Sequence, residues 1–205
     1  NARMISGAII LLALGFLAYN HSQIEGDVAL SAPIFQQFNP FYVVALTPVS
    51  MAIFAYLAKK GKEPSAPRKI AYGMVIAALG FVVMMFGSFG LNTPDAQKAA
   101  VEAGAATTLA SPNVLIYTYL VLTFAELLLS PMGISFVSKV APPKLKGAMM
   151  GSWFVATAIG NFIVSVGGYI WAGLPLWSVW AVFVVLCVLI AHVMFCMMKR
   201  LEKVA

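Results

Sequence analysis

Six long apolar runs constrain the fold of this chain more than any other feature of its sequence. With no water in the bilayer core, such a segment must satisfy its own backbone hydrogen bonds, as an α-helix does. The first run is short for the roughly 20 residues of a full span. We therefore predict an all-α membrane protein, a single bundle of six transmembrane helices over residues 1–205. The runs lie at 4–19, 41–58, 70–91, 114–137, 148–172 and 176–198.

The basic residues are spread unevenly over the segments between these runs. All of them except Lys98 fall on the side that holds both termini. The positive-inside rule therefore predicts that both termini are cytoplasmic. This placement explains the net charge of +6 without nucleic acid, which would require a basic stripe. Only 10% of the residues are charged, against roughly 25% in soluble domains, so the lipid bilayer is the expected surrounding.

No constellation typical of a soluble enzyme occurs in the sequence. Six of the seven acidic residues lie in loops or tails, and neither a phosphate-binding Gly-rich loop nor a metal-ligand spacing is present. An intramembrane enzyme would need a nucleophile that faces His21 or His192. We therefore expect neither enzymatic activity nor a cofactor. The chain begins Asn-Ala-Arg, without a signal-peptide cleavage site after its first run, which suggests a fragment or a processed half.

The fourth run contains Glu126, the only acidic or basic residue within any of the six runs. A charge at membrane depth costs roughly 2.5–3.5 kcal/mol on insertion scales, and function is the default explanation. Pro131 follows one turn later and frees the carbonyl of Leu127, which predicts a kink. A helix that lines a cavity fits these features, and a carboxyl that merely bonds a neighbouring helix is the alternative. Glu126 belongs to a stripe at helical spacing, formed by Tyr119, Thr123, Glu126, Ser130 and Gly133.

The fifth run carries two neighbouring stripes. Ser152, Ala156 and Gly160 repeat small residues every four positions, a pattern that lets helices approach closely. The second stripe mixes an aromatic residue with polar ones, which favours a cavity wall over plain hydrogen bonding between helices. Its members are Trp153, Thr157, Asn161 and Ser165. In the second run, Asn39 precedes Pro40, and N-capping alone would explain that asparagine.

Several motifs together resemble the proton-dependent oligopeptide transporters of the major facilitator superfamily. The resemblance covers roughly residues 35–200 and implies the C-terminal six-helix half of that fold, in a form similar to bacterial members. The motifs are Glu-Leu-Leu-Leu-Ser-Pro-Met-Gly at 126–133, Lys-Val-Ala-Pro-Pro-Lys-Leu-Lys-Gly at 139–147, Met-Met-Gly-Ser-Trp-Phe at 149–154 and Phe-Gln-Gln-Phe-Asn-Pro-Phe at 35–41.

The resemblance implies a function and roles for particular residues. Members of the family carry di- and tripeptides in symport with protons, by alternating access to a central cavity. Glu126 would receive the amino terminus of the peptide, Ser130 would lie one turn away, and Asn39 would contact the peptide. Trp153 would line the pocket, and Asn161 joins it through the polar stripe of the fifth run. We further expect a cytoplasmic gate that involves Pro131, Pro142 and Pro143.

Two departures limit what the resemblance implies. Residues 15–23 match the seventh helix of the family poorly, so we assign no role to 16–23. The acidic-aromatic motif and the lysine tied to proton coupling, both of the first bundle, have no counterpart here. An N-terminal six-helix half is therefore the expected partner. One alternative is a membrane subunit that has a binding or structural role and does not transport. The other is a relative of the family that carries a non-peptide substrate.

Overall fold

The computed structural model describes Tyr19 and residues 32–171 and 173–203. Contacts between Cα atoms divide the chain into two units, 1–34 and 35–205. The first unit is described at Tyr19, which is helical, and at its last three residues. Apart from Tyr19, the predicted first span at 4–19 therefore lies outside the described residues.

The second unit is helical, and the described residues contain no strand. Among the described residues, five helices are long and apolar enough to cross a membrane. They coincide with the second to sixth apolar runs, which confirms the predicted all-α membrane fold. The helices are α1 (Ala32–Gln36), α2 (Phe38–Lys59), α3 (Ala66–Gly87), α4 (Pro94–Glu102), α5 (Pro112–Val140), α6 (Lys146–Trp171) and α7 (Leu176–Leu201), with a short 3₁₀ turn (Pro143–Leu145) between α5 and α6.

The bounds of α3 differ from those of the predicted run by four residues at each end. The apolar run continues to residue 91, but the helix ends at Gly87. Ser88 turns its hydroxyl back to donate to the Met84 carbonyl oxygen at 2.7 Å. Gly90 then adopts a positive φ of 78°, which a residue without a Cβ reaches at no steric cost. An apolar composition therefore continues past the point where the backbone turns.

Helix α3 lies at the centre of the described bundle and packs against both α5 and α7. Three glycines at seven-residue intervals, Gly73, Gly80 and Gly87, face α5. A Cβ atom on Gly80 would lie 2.7 Å from Leu122 Cδ2, and one on Gly87 only 2.3 Å from Val114 Cγ1. The missing side chains thus let the two helices approach closely, as small residues do in membrane bundles.

Aromatic pairs connect α3 to α7. The rings of Phe81 and Phe183 stack with centroids 5.3 Å apart, and Trp180 stacks on Phe81 at 6.1 Å. Phe89 pairs with Trp177 at 5.8 Å. Such pairs contribute about 0.5–1.5 kcal/mol beyond their buried area, so they make α7 the second firm partner of α3.

A polar clamp joins the two helices at their other end. Glu202, directly after α7, accepts a hydrogen bond from Ser65 Oγ at 2.6 Å. Arg68 reaches the same carboxylate with Nε at 2.6 Å and with Nη2 at 3.1 Å. The hydrogen bond from Ser65, and then the Arg68 guanidinium, lower the pKa of the Glu202 carboxyl against the opposing effect of desolvation. The clamp holds the start of α3 to the end of α7.

Helix α6 is attached far more sparsely than the other long helices. Its small-residue stripe, Ser152, Ala156 and Gly160, is exposed. A Cβ on Gly160 would meet no atom within 4 Å. Within the part of the chain that the structure describes, the packing predicted for this stripe therefore has no partner helix.

Candidate functional site

Glu126 and Asn39 meet across the gap between α5 and α2. Asn39 Nδ2 donates a hydrogen bond to Glu126 Oε2 at 3.1 Å, although the two residues are 87 positions apart in sequence. The N-capping explanation for Asn39 is wrong, because α2 starts at Phe38 and its N-cap position is Gln37. The asparagine instead lies inside the first turn, and its side chain reaches the one carboxylate of the membrane-spanning helices.

The Glu126 carboxylate keeps free capacity to bind a ligand. Its side chain is exposed, and among the described residues the two ion pairs involve other carboxylates, Glu63 and Glu202. An ionised carboxylate offers about four acceptor positions on its two oxygens, and Asn39 occupies one. A cationic hydrogen-bond donor would find both charge and acceptor positions here.

The stripe around Glu126 is divided into an open part and a buried part. Ser130 is exposed one turn further along α5, and its hydroxyl forms no hydrogen bond with a described residue. Thr123 is fully buried, and its hydroxyl has no partner among the residues described. The stripe is therefore not a uniform cavity wall, since Glu126 and Ser130 are exposed whereas Thr123 is buried and Tyr119 is half-buried.

Trp153 lies directly over Gly133, at the end of the same stripe. A Cβ on Gly133 would be 2.2 Å from Trp153 Cη2 and 2.6 Å from Cζ2. The glycine thus forms a notch that seats the indole of α6 on α5, two turns from Glu126. Helical spacing places Gly133 on the same face as Glu126, but it does not predict the contact with the indole.

Two hydroxyl groups of the polar stripe of α6 donate hydrogen bonds to the backbone of their own helix. Thr157 Oγ1 donates to the Trp153 carbonyl oxygen at 3.0 Å, and Ser165 Oγ donates to the carbonyl oxygen of Phe162 at 2.6 Å. Asn161 is exposed, and its amide forms no hydrogen bond with any residue in the described ranges. The structure thus brings Asn39 to Glu126 and Trp153 to Gly133, whereas Asn161 is not bonded to either pair.

Of the three prolines assigned to a gate, Pro131 lies within α5, and Pro142 and Pro143 follow its end. The helix runs without a break through Pro131. Pro142 is extended, with φ −56° and ψ 142°, and Pro143 begins the 3₁₀ turn that leads into α6. The last two therefore form the joint between the helix that carries Glu126 and the helix that carries Trp153.

One apolar cleft of the described bundle lies away from these residues. A cleft of about 400 Å³ runs between α2, α3 and α5, and its lining includes none of the predicted site residues. The described residues contain no group of three or more histidine, cysteine or acidic side chains that could hold a metal ion. We therefore place the candidate site at the open Asn39–Glu126 pair and not in this cleft.

Known proteins resemble this chain in sequence and in fold. Residues 16–170 match the PTR2 model, described as the POT family. Dipeptide and tripeptide permease B of Salmonella typhimurium is 35% identical over 160 residues, which cover 77% of this chain and 29% of the relative. Peptide transporter YePEPT of Yersinia enterocolitica is 36% identical over 137 residues, covering 66% of this chain and 25% of the relative.

A solved structure shows the same fold. The crystal structure of a peptide transporter POT in complex with sulfate superposes with a TM-score of 0.72 at 22% identity, covering 86% of this chain and 33% of that one. The chain thus spans about a third or less of the relatives that it matches, and its helices adopt the fold of part of such a transporter. Five membrane-length helices make it a multi-pass membrane protein. This chain belongs to the POT family.

Proposed function

We propose that this chain supplies half of the peptide cavity of a proton-coupled symporter for di- and tripeptides. The observation that carries the proposal is the exposed Glu126 carboxylate, positioned by Asn39 at 3.1 Å. The names of the relatives support it, since they include dipeptide and tripeptide permeases. A further solved relative is described as a POT family transporter in complex with a thioalcohol conjugated peptide.

In this proposal, Glu126 accepts the ammonium group of the peptide. Hydrogen bonds to charged groups contribute roughly 1.5–3 kcal/mol, which is enough to orient a small ligand. Asn39 fixes the carboxylate and contacts the peptide, and Ser130 adds a neutral hydrogen bond. Trp153 and Asn161 contribute the facing wall, and Pro131, Pro142 and Pro143 belong to the cytoplasmic gate.

The proposal also assigns the partner and the surroundings of this chain. The other half of the cavity and the proton-coupling groups belong to an N-terminal six-helix bundle, because the chain matches only 29% of the length of a permease. The protein lies in the inner membrane with both termini of this segment cytoplasmic, as the distribution of basic residues favours. It is a carrier and not an enzyme, and protons are its only coupling ion.

Substitution of Glu126 by glutamine tests the proposal in the complete transporter. Glutamine keeps an acceptor oxygen for Asn39 and removes the charge that an ammonium group requires. We expect Glu126→Gln to lower proton-driven dipeptide uptake into proteoliposomes at least about tenfold, because a charged hydrogen bond is lost. Glu102→Gln, on the exposed helix α4, should leave uptake unchanged.

The same substitution separates transport from the structural alternative. A subunit that uses Glu126 only to bond α2 would tolerate glutamine, since the hydrogen bond from Asn39 survives. Undiminished uptake by Glu126→Gln would therefore contradict the proposal and favour a structural role for the Asn39–Glu126 pair.

A further inference from the structure

The apolar cleft between α2, α3 and α5 ends at a cluster of lysines. Its volume is about 400 Å³, and its lining is entirely apolar in character apart from Lys69. The cleft is open to the outside of the bundle and is separate from the residues of the proposed peptide site. Its lining includes Ile53, Phe54, Leu57, Tyr72, Val75 and Phe124.

The lysine cluster is fixed to one end of this cleft by the turn after α2. Leu57 and Pro64 both line the cleft, and Lys59, Lys60 and Lys62 lie between them in sequence. Lys62 N donates to the Leu57 carbonyl oxygen at 3.0 Å, while Gly61 takes a positive φ of 65°. This is the pattern of a Schellman C-cap, which holds the lysine-bearing turn against the lining residues.

The charges of this turn are largely uncompensated. Lys69 is buried, pairs with Glu63 and lies 4.3 Å from the centre of the Phe54 ring, so the single acidic residue of the turn is already engaged. Lys60 lies 4.4 Å from the centre of the Tyr56 ring. Lys59 and Lys62 are exposed and form no ion pair within the described ranges. An anionic group at this end would meet Lys59, Lys60 and Lys62, none of which pairs with a carboxylate of the described residues.

We propose that this cleft binds one acyl chain of an anionic phospholipid, whose phosphate lies among Lys59, Lys60 and Lys62. An apolar cleft at membrane depth suits an acyl chain, and basic clusters between transmembrane helices bind anionic headgroups. The charge complementarity at the end of the cleft selects this ligand over a neutral lipid. The inference is independent of the peptide site, because the two share no residue.

Native mass spectrometry of the complete transporter in detergent tests the site. Titration with phosphatidylglycerol should show one tightly bound molecule, bound more strongly than phosphatidylcholine with the same acyl chains. The triple substitution Lys59→Gln, Lys60→Gln and Lys62→Gln should weaken phosphatidylglycerol binding at least about tenfold, since each such lysine changes affinity for an anionic lipid surface by about fivefold. The matched control replaces Lys139, Lys144 and Lys146 by glutamine and should bind like the wild type.

A second pair of variants tests the acyl-chain cleft itself. Val75→Trp fills the lining and should abolish the tight site, whereas Val182→Trp places the same ring on an exposed position of α7 and should leave it intact. Equal binding of both lipids, or full binding by the triple variant or by Val75→Trp, would overturn the proposal.

Cross-linking identifies the occupant of the cleft directly. A photoreactive benzoylphenylalanine in place of Val75, activated in membranes that contain phosphatidylglycerol, should form an adduct with the lipid. An adduct with a peptide segment, from residues 4–19 or from another part of the transporter, would instead show that protein fills the cleft and would overturn the lipid assignment.

Discussion

At the scale of single residues, the candidate site consists of two contacts that fix different groups. Asn39 holds the Glu126 carboxylate at 3.1 Å, and Gly133 seats the Trp153 indole on α5. The first contact orients the Glu126 carboxylate, and the second fixes the position of the Trp153 indole on α5.

Removal of Asn39 should weaken peptide binding without abolishing it. In Asn39→Ala the carboxylate keeps its charge but loses the group that orients it, so we expect the dipeptide Kd to rise about tenfold, as a hydrogen bond to a charged group contributes about 1.5 kcal/mol or more. Isothermal titration of the complete transporter measures this change.

The two residues of this pair should also be coupled energetically. Groups in direct contact show non-additive effects, so Asn39→Ala should have a smaller effect on Kd in the Glu126→Gln background than in the wild type. Asn113→Ala, at the exposed start of α5, is the control. Fully additive effects of the two substitutions would show that the contact plays no part in binding.

A methyl group on Gly133 should disturb the seat of the indole. Gly133→Ala places a Cβ within 2.2 Å of the ring, so α6 must shift, and overpacking of this kind costs about 1–3 kcal/mol. The free energy of unfolding should fall by that amount in denaturant titrations. Gly151→Ala, where a Cβ meets nothing within 4 Å, should be neutral, and Trp153→Ala should remove the penalty of the Gly133 change.

The sequence predicted the members of this site better than their contacts. Glu126 stands out as the only charge in an apolar run, and Ser130 and Gly133 follow from helical spacing. The partner of Asn39 was not predictable, because it lies 87 residues away and depends on how α2 packs on α5. For the same reason the stripe could not show that Thr123 is buried while Ser130 is exposed.

At the scale of helices, α3 packs closely against α5 through its glycines and against α7 through aromatic rings. Run length predicted that the helices exist, because a long apolar segment has no other structure available in lipid. It did not predict which face meets which neighbour. The seven-residue spacing of Gly73, Gly80 and Gly87 is a sequence signal for the α3–α5 contact, although it was not among the predicted packing stripes.

The three glycines of α3 should not be equally sensitive to substitution. Gly87 faces Val114, whose β-branched side chain has little rotamer freedom, whereas Gly80 faces the flexible end of Leu122. We therefore expect Gly87→Ala to lower the free energy of unfolding by about 1–3 kcal/mol, and Gly80→Ala to lower it by less. Denaturant titrations of both variants give the comparison, and the reverse order would contradict this account of the interface.

At the scale of the whole described bundle, the Glu202 clamp joins segments that are more than 130 residues apart in sequence. It fastens the end of α7 to the start of α3, on the side that the lysine-rich turn also occupies. The contact was not predictable from sequence, since Glu202 follows the last apolar run and reads as an ordinary charged tail.

The clamp should make the stability of this end depend on pH. The pKa of Glu202 is lowered from its ordinary value of 4.5 in the folded chain, so the clamp contributes fully above that value and is lost as the pH falls through the lowered pKa. Glu202→Gln should therefore increase amide hydrogen exchange near residues 65–69 and 199–203 at pH 7. The difference from the wild type should shrink as the pH falls below 4.5 and disappear once the Glu202 carboxyl is protonated in the folded chain.

The control for the clamp is Glu102→Gln, which changes an exposed acid on α4 and should leave exchange in both segments unaltered. Equal exchange of the wild type and Glu202→Gln at pH 7 would show that the contact does not hold the two helices together.

The central position of α3 has a consequence for the order in which the protein is made. Both of its firm neighbours follow it in the chain, so α3 leaves the ribosome before either exists. At about 5–20 residues per second, α5 is complete roughly 3–10 seconds after α3, and α7 roughly 6–23 seconds after it. During that interval the glycine face of α3 is bare, and lipid or the insertion machinery must cover it until α5 arrives.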